Sequence, residues 1–312
     1  MSGSSVVTAR KNMVRVAGGD FVMGSADFFP EERPVRPAAV EPFWIDTFPV
    51  TNAAFRRFVR ETGHVTVAER DLDPTDFPGA RAADLVPGAL VFRPTGGPVP
   101  LNEWRRWWAY VPGAHWRHPH GPGSDLSGRD HHPVTQVAYQ DAAAYAAWAG
   151  KSLPTEAQWE FAARGGLDEA TFSWGEEFAP RGRRMANTWI GRFPWEFLPG
   201  RGQSDHPGTT KVGTYPPNGF GLFDMTGNVW EWTADYFGTH RAGSRTGSCC
   251  APHSCAQSPV PEAGERYARR VIKGGSYLCA PNYCLRYRPA ARQGQSEDTA
   301  TCHLGFRCVA LD

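Results

Sequence analysis

From residue 167 to residue 312 the chain offers no segment with helical periodicity. Almost half of it must therefore be held by short strands and long loops. Such a chain packs into a stable domain only if its loops are pinned from within. The composition supplies the pins: 34 glycines and 27 prolines set turns, and 12 tryptophans offer large rings with an N–H that wants a partner. With 41% hydrophobic residues there is enough apolar material for a sizeable core. Length alone suggests about two domains. A formal net charge of +1 implies no strong attraction to nucleic acid or to a membrane surface.

The helices that can be read lie earlier. Thr51 or Asn52 caps a helix whose apolar side is Phe55, Phe58 and Val59, with Gly63 as its stop. A second runs from about Tyr139 to Ala149 and ends at Gly150. A third opens on a capping box, Thr155-Glu156-Ala157-Gln158, and closes at Gly165-Gly166. Before them, Val14–Val16 and Asp20–Met23 around Gly18-Gly19 read as a hairpin, Ala26–Pro37 as a loop and Ala39–Ile45 as a strand. Residues 64 to about 135 read mostly as loop. They carry Trp104, Trp107, Trp108 and Trp116, and with them His115, His118, His120, His131 and His132. That histidine spacing matches no common zinc pattern, so the reading is a long ordered loop fixed by rings. Residues 1 to 11 read as a disordered tail. The first residues show no apolar stretch of a secretory signal, and no run approaches the roughly 18 apolar residues of a membrane span. The expectation is a cytoplasmic protein.

The chemistry gathers in Val271–Arg292, VIKGGSYLCAPNYCLRYRPAAR. Cys279 and Cys284 stand with four residues between them, behind Gly274, Gly275 and Ser276. Lys273, Arg286, Arg288 and Arg292 put positive charge in the same stretch, and a cationic neighbourhood favours thiolate over thiol. Nucleophilic or metal-binding cysteines, buried structural cysteines and an ordinary disulfide are all open from spacing alone. All seven cysteines lie at or beyond position 249, so none in the first four-fifths of the chain can pair across the fold. In a reducing compartment, free, catalytic or metal-bound cysteines are expected.

Several phrases accumulate along the chain: Gly18-Gly19-Asp20-Phe21-Val22-Met23-Gly24, Pro49-Val50-Thr51-Asn52, Leu153-Pro154-Thr155-Glu156-Ala157-Gln158-Trp159-Glu160, Gly227-Asn228-Val229-Trp230-Glu231-Trp232-Thr233, Lys273-Gly274-Gly275-Ser276 and Leu304-Gly305-Phe306-Arg307. Together with the paired cysteines and Arg286-Tyr287-Arg288 they resemble the formylglycine-generating enzyme (sulfatase-modifying factor) family, bacterial type, over residues 12 to 312. The resemblance implies one compact α+β catalytic domain, loop-rich and poor in regular structure, a distant variant of the C-type-lectin fold. That overrides the two domains suggested by length.

The resemblance also implies an activity. Such an enzyme oxidises the cysteine of a sulfatase Cys-x-Pro-x-Arg sequence to Cα-formylglycine, using O₂ and a thiol reductant and releasing sulfide. Cys279 and Cys284 would be the thiols that hold Cu(I), a soft ion that prefers thiolates and low coordination. Ser276 would hydrogen-bond near the reacting sulfur, although a turn serine bonding its own backbone fits equally. Trp230 would line the oxygen and substrate cavity, or be a core tryptophan. Asp224 and Glu231, with the carbonyls of Gly227 and Val229, would hold a structural Ca²⁺. Asn187, the carbonyl of Thr188, and Asp205 would hold a second. Pro289 stands where secreted relatives carry a disulfide cysteine, which leaves Cys302 and Cys308 free. The partner would be a sulfatase polypeptide lying extended in a groove with acidic groups for its arginine, and a monomer suffices. The main alternative is a non-catalytic ligand- or peptide-binding module on the same lectin-like scaffold. Simple copper handling is another. The iron-dependent sulfoxide synthases of the same superfamily need a histidine-bearing helical domain for which this chain lacks the length.

Overall fold

The computed structural model describes residues 10–200, 202–203, 205–238 and 267–312. Most of the expected tail, and the Ser244–Glu265 stretch with Cys249, Cys250 and Cys255, lie outside the described residues. Three α-helices and four small sheets form the regular structure among those described, in one loop-rich α+β domain.

Each helix begins where a side chain satisfies an otherwise unpaired N–H. Helix α1 (Asn52–Thr62) starts with Thr51 Oγ1 accepting from the Ala54 N–H at 3.3 Å. It ends at Gly63, whose φ of 69° suits a residue without Cβ. Helix α2 (Tyr139–Trp148) is opened by Asp141, whose carboxylate accepts from the Ala138 N–H at 2.9 Å. Helix α3 (Glu156–Arg164) has the capping box its sequence implies: Thr155 Oγ1 accepts from the Gln158 N–H, and Gln158 Oε1 from the Thr155 N–H.

The N-terminal strands pair differently from the sequence expectation. Strand β1 (Met13–Val16) does not fold back on β2 (Gly19–Met23). Instead β1 pairs antiparallel with β4 (Phe43–Asp46), and β2 pairs with β3 (Arg36–Val40). The glycine pair is the reason. Gly18 at φ 74° lies so close to the Val40 carbonyl that a Cβ would sit 2.2 Å from its oxygen. It carries the chain from one sheet to the next rather than reversing it. The single strand expected over Ala39–Ile45 is two strands, interrupted before Pro42, which has no N–H for a ladder.

The segment read as loop contains an antiparallel pair, β5 (Gly88–Phe92) and β6 (Trp108–Pro112). Its rings do fix it: Trp107 and Trp116 are fully buried, and His115 and His118 exchange backbone hydrogen bonds of 3.2 and 2.9 Å.

The remaining sheet positions the chemistry. Its order is β10 (Leu304–Gly305), β7 (Trp230–Tyr236), β8 (Arg269–Lys273) and β9 (Arg292–Ser296); β10 runs parallel to β7, and the others alternate. Trp232 on β7 is fully buried and donates Nε1–H to the Val137 carbonyl at 3.0 Å. Strand β11 (Val309–Leu311) pairs with β4, so the two ends of the chain close one sheet. Between β8 and β9 the chain makes the cysteine loop. It can do so because Gly274 and Gly275, at φ 89° and 68°, press against the Met225 carbonyl and the Arg286 backbone, where a Cβ would come within 2.6–2.7 Å.

Candidate active site

The cysteine loop is a run of tight turns. Cys279 N–H bonds the Ser276 carbonyl and Cys284 N–H the Ala280 carbonyl, each at 3.0 Å. Leu285, at a φ of 36°, reverses the chain again. Both cysteines are free thiols; Cys279 is 2% exposed and Cys284 half-buried. The two sulfurs hydrogen-bond each other, and the Arg286 N–H reaches both. Ser276 N–H points at Cys279 Sγ from 3.5 Å.

The pair is electrostatically asymmetric. Burial pushes the Cys279 thiol up, but the bonds from Cys284 and the Ser276 N–H, the Arg286 charge and the Arg286 N–H together bring it below its ordinary value. Cys284 goes the other way: burial, its bond to Cys279 and the charge on Cys279 push it well up. Cys279 is therefore the more readily ionised of the two, and Cys284 the one that keeps its proton longer. Two adjacent soft donors, one of them easily ionised, fit a soft monovalent cation.

The structure corrects the expected source of positive charge. Lys273 is fully buried against Glu160 (2.9 Å) and Glu156 (3.7 Å). Arg288 is paired with Glu32, and Arg292 with Glu156. These cations belong to buried ion pairs that fasten the loop. Arg286 is the one whose charge favours the Cys279 thiolate. It is itself held by Glu31, by Gln293 (3.0 Å) and over the Phe29 ring (4.3 Å).

Ser276 is fully buried, and its Oγ accepts from the Leu278 N–H at 3.2 Å, the self-bonding turn weighed above, while its N–H serves Cys279. Trp230, 3% exposed, packs into the same apolar cluster as Cys279, Tyr287 and Phe172. Two tyrosines were missed. Tyr283 is 37% exposed at the rim, stacked on Phe193 at 4.5 Å and edge-on to Trp107 at 5.6 Å. Its only signal in the sequence is an aromatic placed directly before Cys284. Tyr287 is fully buried and its hydroxyl has no hydrogen-bond partner among the described residues. Burial, then the charges of both thiols, raises its pKa. Cys302 and Cys308 are buried and free, as expected; Cys302 Sγ accepts from Phe92 N–H at 3.3 Å.

The two sets of residues expected to hold calcium meet at Asn228. Asp224, Gly227 and Asn228 all have positive φ (53°, 76° and 59°), which gives a tight loop under β7. Asn228 ties this loop to the second set, accepting from Asn187 Nδ2 at 3.1 Å and donating its N–H to the Asn187 carbonyl at 2.8 Å. Asp224 is buried and accepts from Gly213 N–H at 2.8 Å. Its carboxyl is pushed up to about 6, mainly by burial. Glu231 already has a cation: Arg307 bonds both its oxygens at 2.7 and 2.8 Å, and Trp159 Nε1 adds 2.7 Å. One lone pair on Oε1 remains for a metal. In the second set Asn187 and Thr188 are buried and Asp205 is exposed; Asn187 Oδ1 accepts from Gln203. Among the described residues, no three His, Cys, Asp or Glu side chains cluster as a metal site.

Comparison with known proteins gives this geometry a context. A family model described as sulfatase-modifying factor enzyme 1-like domain matches residues 2–311. The chain is 55% identical, over 96% of its length and 97% of the relative's, to the formylglycine-generating enzyme of Mycobacterium tuberculosis. It is 44% identical to that of Thermomonospora curvata, over 96% of this chain and 93% of the relative. Among solved structures, PvdO from Pseudomonas aeruginosa superposes with a TM-score of 0.58 at 24% identity, over 96% and 94% of the two chains, a likeness of fold.

Proposed function

The chain belongs to the sulfatase-modifying factor family, and from that premise we propose that it generates formylglycine by copper-dependent oxidation of a peptidyl cysteine. Relatives 55% and 44% identical are formylglycine-generating enzymes, which supports cysteine-to-formylglycine conversion by this chain. The copper-dependent chemistry is supported by the hydrogen-bonded Cys279–Cys284 pair, with Cys279 buried and the more easily ionised and Cys284 half-buried.

The balance of the reaction defines what the site must handle. The substrate CH₂–SH becomes an aldehyde and sulfide leaves. The net reaction takes one CH₂–SH, one O₂ and two reductant thiols to one aldehyde, one H₂S, one disulfide and one H₂O. Bound Cu(I) would supply the one-electron chemistry with O₂ that a bare thiol lacks. Cys279 and Cys284 would hold it, leaving room for the substrate thiolate as a third soft donor. The protein's part is to keep one thiolate ready through Arg286 and Ser276, to hold the second proton on Cys284 until it is displaced, and to exclude water with Trp230 and its apolar neighbours. Tyr283 and Phe193 give the substrate peptide an aromatic rim. The substrate is a sulfatase segment bearing Cys-x-Pro-x-Arg, its arginine meeting acidic groups of the groove. Ca²⁺ would bind at Asp224 with the Gly227 and Val229 carbonyls and Oε1 of Glu231. At the second set Asn187 would have to release Gln203 before its oxygen, with the Thr188 carbonyl and Asp205, met a cation. The reading places the enzyme in the cytoplasm as a monomer.

Mass spectrometry tests it. A peptide containing Cys-Thr-Pro-Ser-Arg is incubated with the protein, Cu(I), a thiol reductant and air. The expected product carries an aldehyde in place of the thiol, and Cys279→Ser and Cys284→Ser form none while keeping the fold. An unchanged peptide, with copper bound and the fold intact, would sink the enzymatic reading in favour of a binding module.

A further inference from the structure

A concavity of about 540 Å³ opens against Tyr277 of the cysteine loop. Its walls come from the end of β5, from the loop that carries His120, Arg129 and His132, and from Gly202, Gln203 and residues 206–209. Arg129, His120, His132 and His206 line it, and among the described residues no carboxylate does. The half-buried Arg129 guanidinium has no hydrogen bond or ion pair among the described residues. Arg129 itself lines the cleft, and its charge reaches Tyr277, His120 and His132, which line it too. Asp125 also feels that charge, but its carboxylate accepts from the Ser127 N–H at 2.8 Å and does not line the cleft. His132 is braced by Thr209 Oγ1 at 3.0 Å.

A half-buried guanidinium with no counter-ion among the described residues, beside imidazoles, is a site prepared for an anion: its planar fork matches an oxyanion, and low exposure strengthens the attraction. Size narrows the class. The cleft falls in the range of small-molecule sites, roughly 300–1,000 Å³, and is far larger than bare phosphate needs. Phe92, Pro94 and Tyr277 give one wall an apolar character. We propose that this cleft binds a small organic oxyanion, a phosphate or sulfate monoester, with its charged end on Arg129 and His132 and its body against Phe92, Pro94 and Tyr277.

Calorimetric titration of the full-length protein tests this at constant ionic strength, with phenyl phosphate, phenyl sulfate and inorganic phosphate as probes. No peptide and no turnover enter the measurement, so its failure is distinct from failure of the cysteine chemistry. The expected result is one saturable site at which at least one monoester binds tenfold or more tighter than inorganic phosphate. Arg129→Met should weaken that binding at least tenfold, and Arg129→Lys should restore part of it. Thermal unfolding of both variants confirms that they fold. Absence of a saturable heat, or unchanged binding by Arg129→Met, overturns the site. Equal affinity for inorganic phosphate overturns the organic class, and the contrast between the two monoesters separates phosphate from sulfate.

Discussion

Asp224 shows how one residue reports on a metal. Its carboxyl is pushed up to about 6 by burial, with the Glu231 charge adding to the shift and the Gly213 N–H and Arg307 opposing it. The folded pKa therefore lies above the unfolded one. The contribution to stability is fully present below about pH 4, where both states are protonated, and is lost as pH rises through about 6. At roughly 1.4 kcal/mol per unit, ionising Asp224 in the folded protein costs on the order of 2–3 kcal/mol. In chelator, the melting temperature should rise as pH falls from 7 to 5. With millimolar Ca²⁺ that rise should flatten, because a bound cation keeps the carboxylate ionised. Parallel curves with and without Ca²⁺ would remove calcium from Asp224. Legibility differs sharply at this scale. Cys279 and Cys284 stand out in the sequence because type and spacing are local. Their unequal ionisation does not, because it depends on the turn that brings the Arg286 N–H and the Ser276 N–H onto the sulfurs.

All three helices could be read from local sequence, and strand partners could not. Helices α1 and α3 announce themselves through Thr51, Thr155 and the closing glycines, all local chemistry. Strand partners are chosen by distant residues, so the apolar alternation around Gly18-Gly19 resembled a hairpin although each strand pairs elsewhere. The same contrast predicts two glycine substitutions. Gly63 ends α1 at φ 69° with nothing within 4 Å of a new Cβ, so Gly63→Ala should cost only the left-handed penalty, about 1–2 kcal/mol. Gly274→Ala, at φ 89°, adds contacts of 2.6 Å with the Met225 carbonyl and 2.9 Å with Trp159. That forces the entrance of the cysteine loop to move. Urea unfolding should show Gly274→Ala losing clearly more than Gly63→Ala, and Cu(I) affinity should fall in the former alone. Equal losses would mean that the glycine pair does not set the position of the loop.

The whole molecule is closed by contacts between its two ends. Strand β11 pairs with β4, and the turn at Pro30–Glu32 sends Glu31 to Arg286 and Glu32 to Arg288 across 255 and 256 residues of chain. No pattern within either segment points to the other, which is why the sequence suggested four free cations near the thiols where the fold has four ion pairs. The Glu32–Arg288 pair is almost fully dry, at 0% and 1% side-chain exposure. Removing one member leaves the other charge buried without a partner, which costs about 3–5 kcal/mol, whereas replacing both with apolar or neutral groups can be nearly neutral. Glu32→Gln should therefore lower the melting temperature by roughly 6–10 °C. The double variant Glu32→Gln with Arg288→Met should recover much of that loss, with unfolding still a single calorimetric transition. A shift below about 1 °C in the single variant would show that this pair does not bind the ends together. Recovery of stability in the double variant without recovery of peptide oxidation would instead place Arg288 in the service of the cysteine loop, since its Nε–H also holds the Leu285 carbonyl at 2.8 Å.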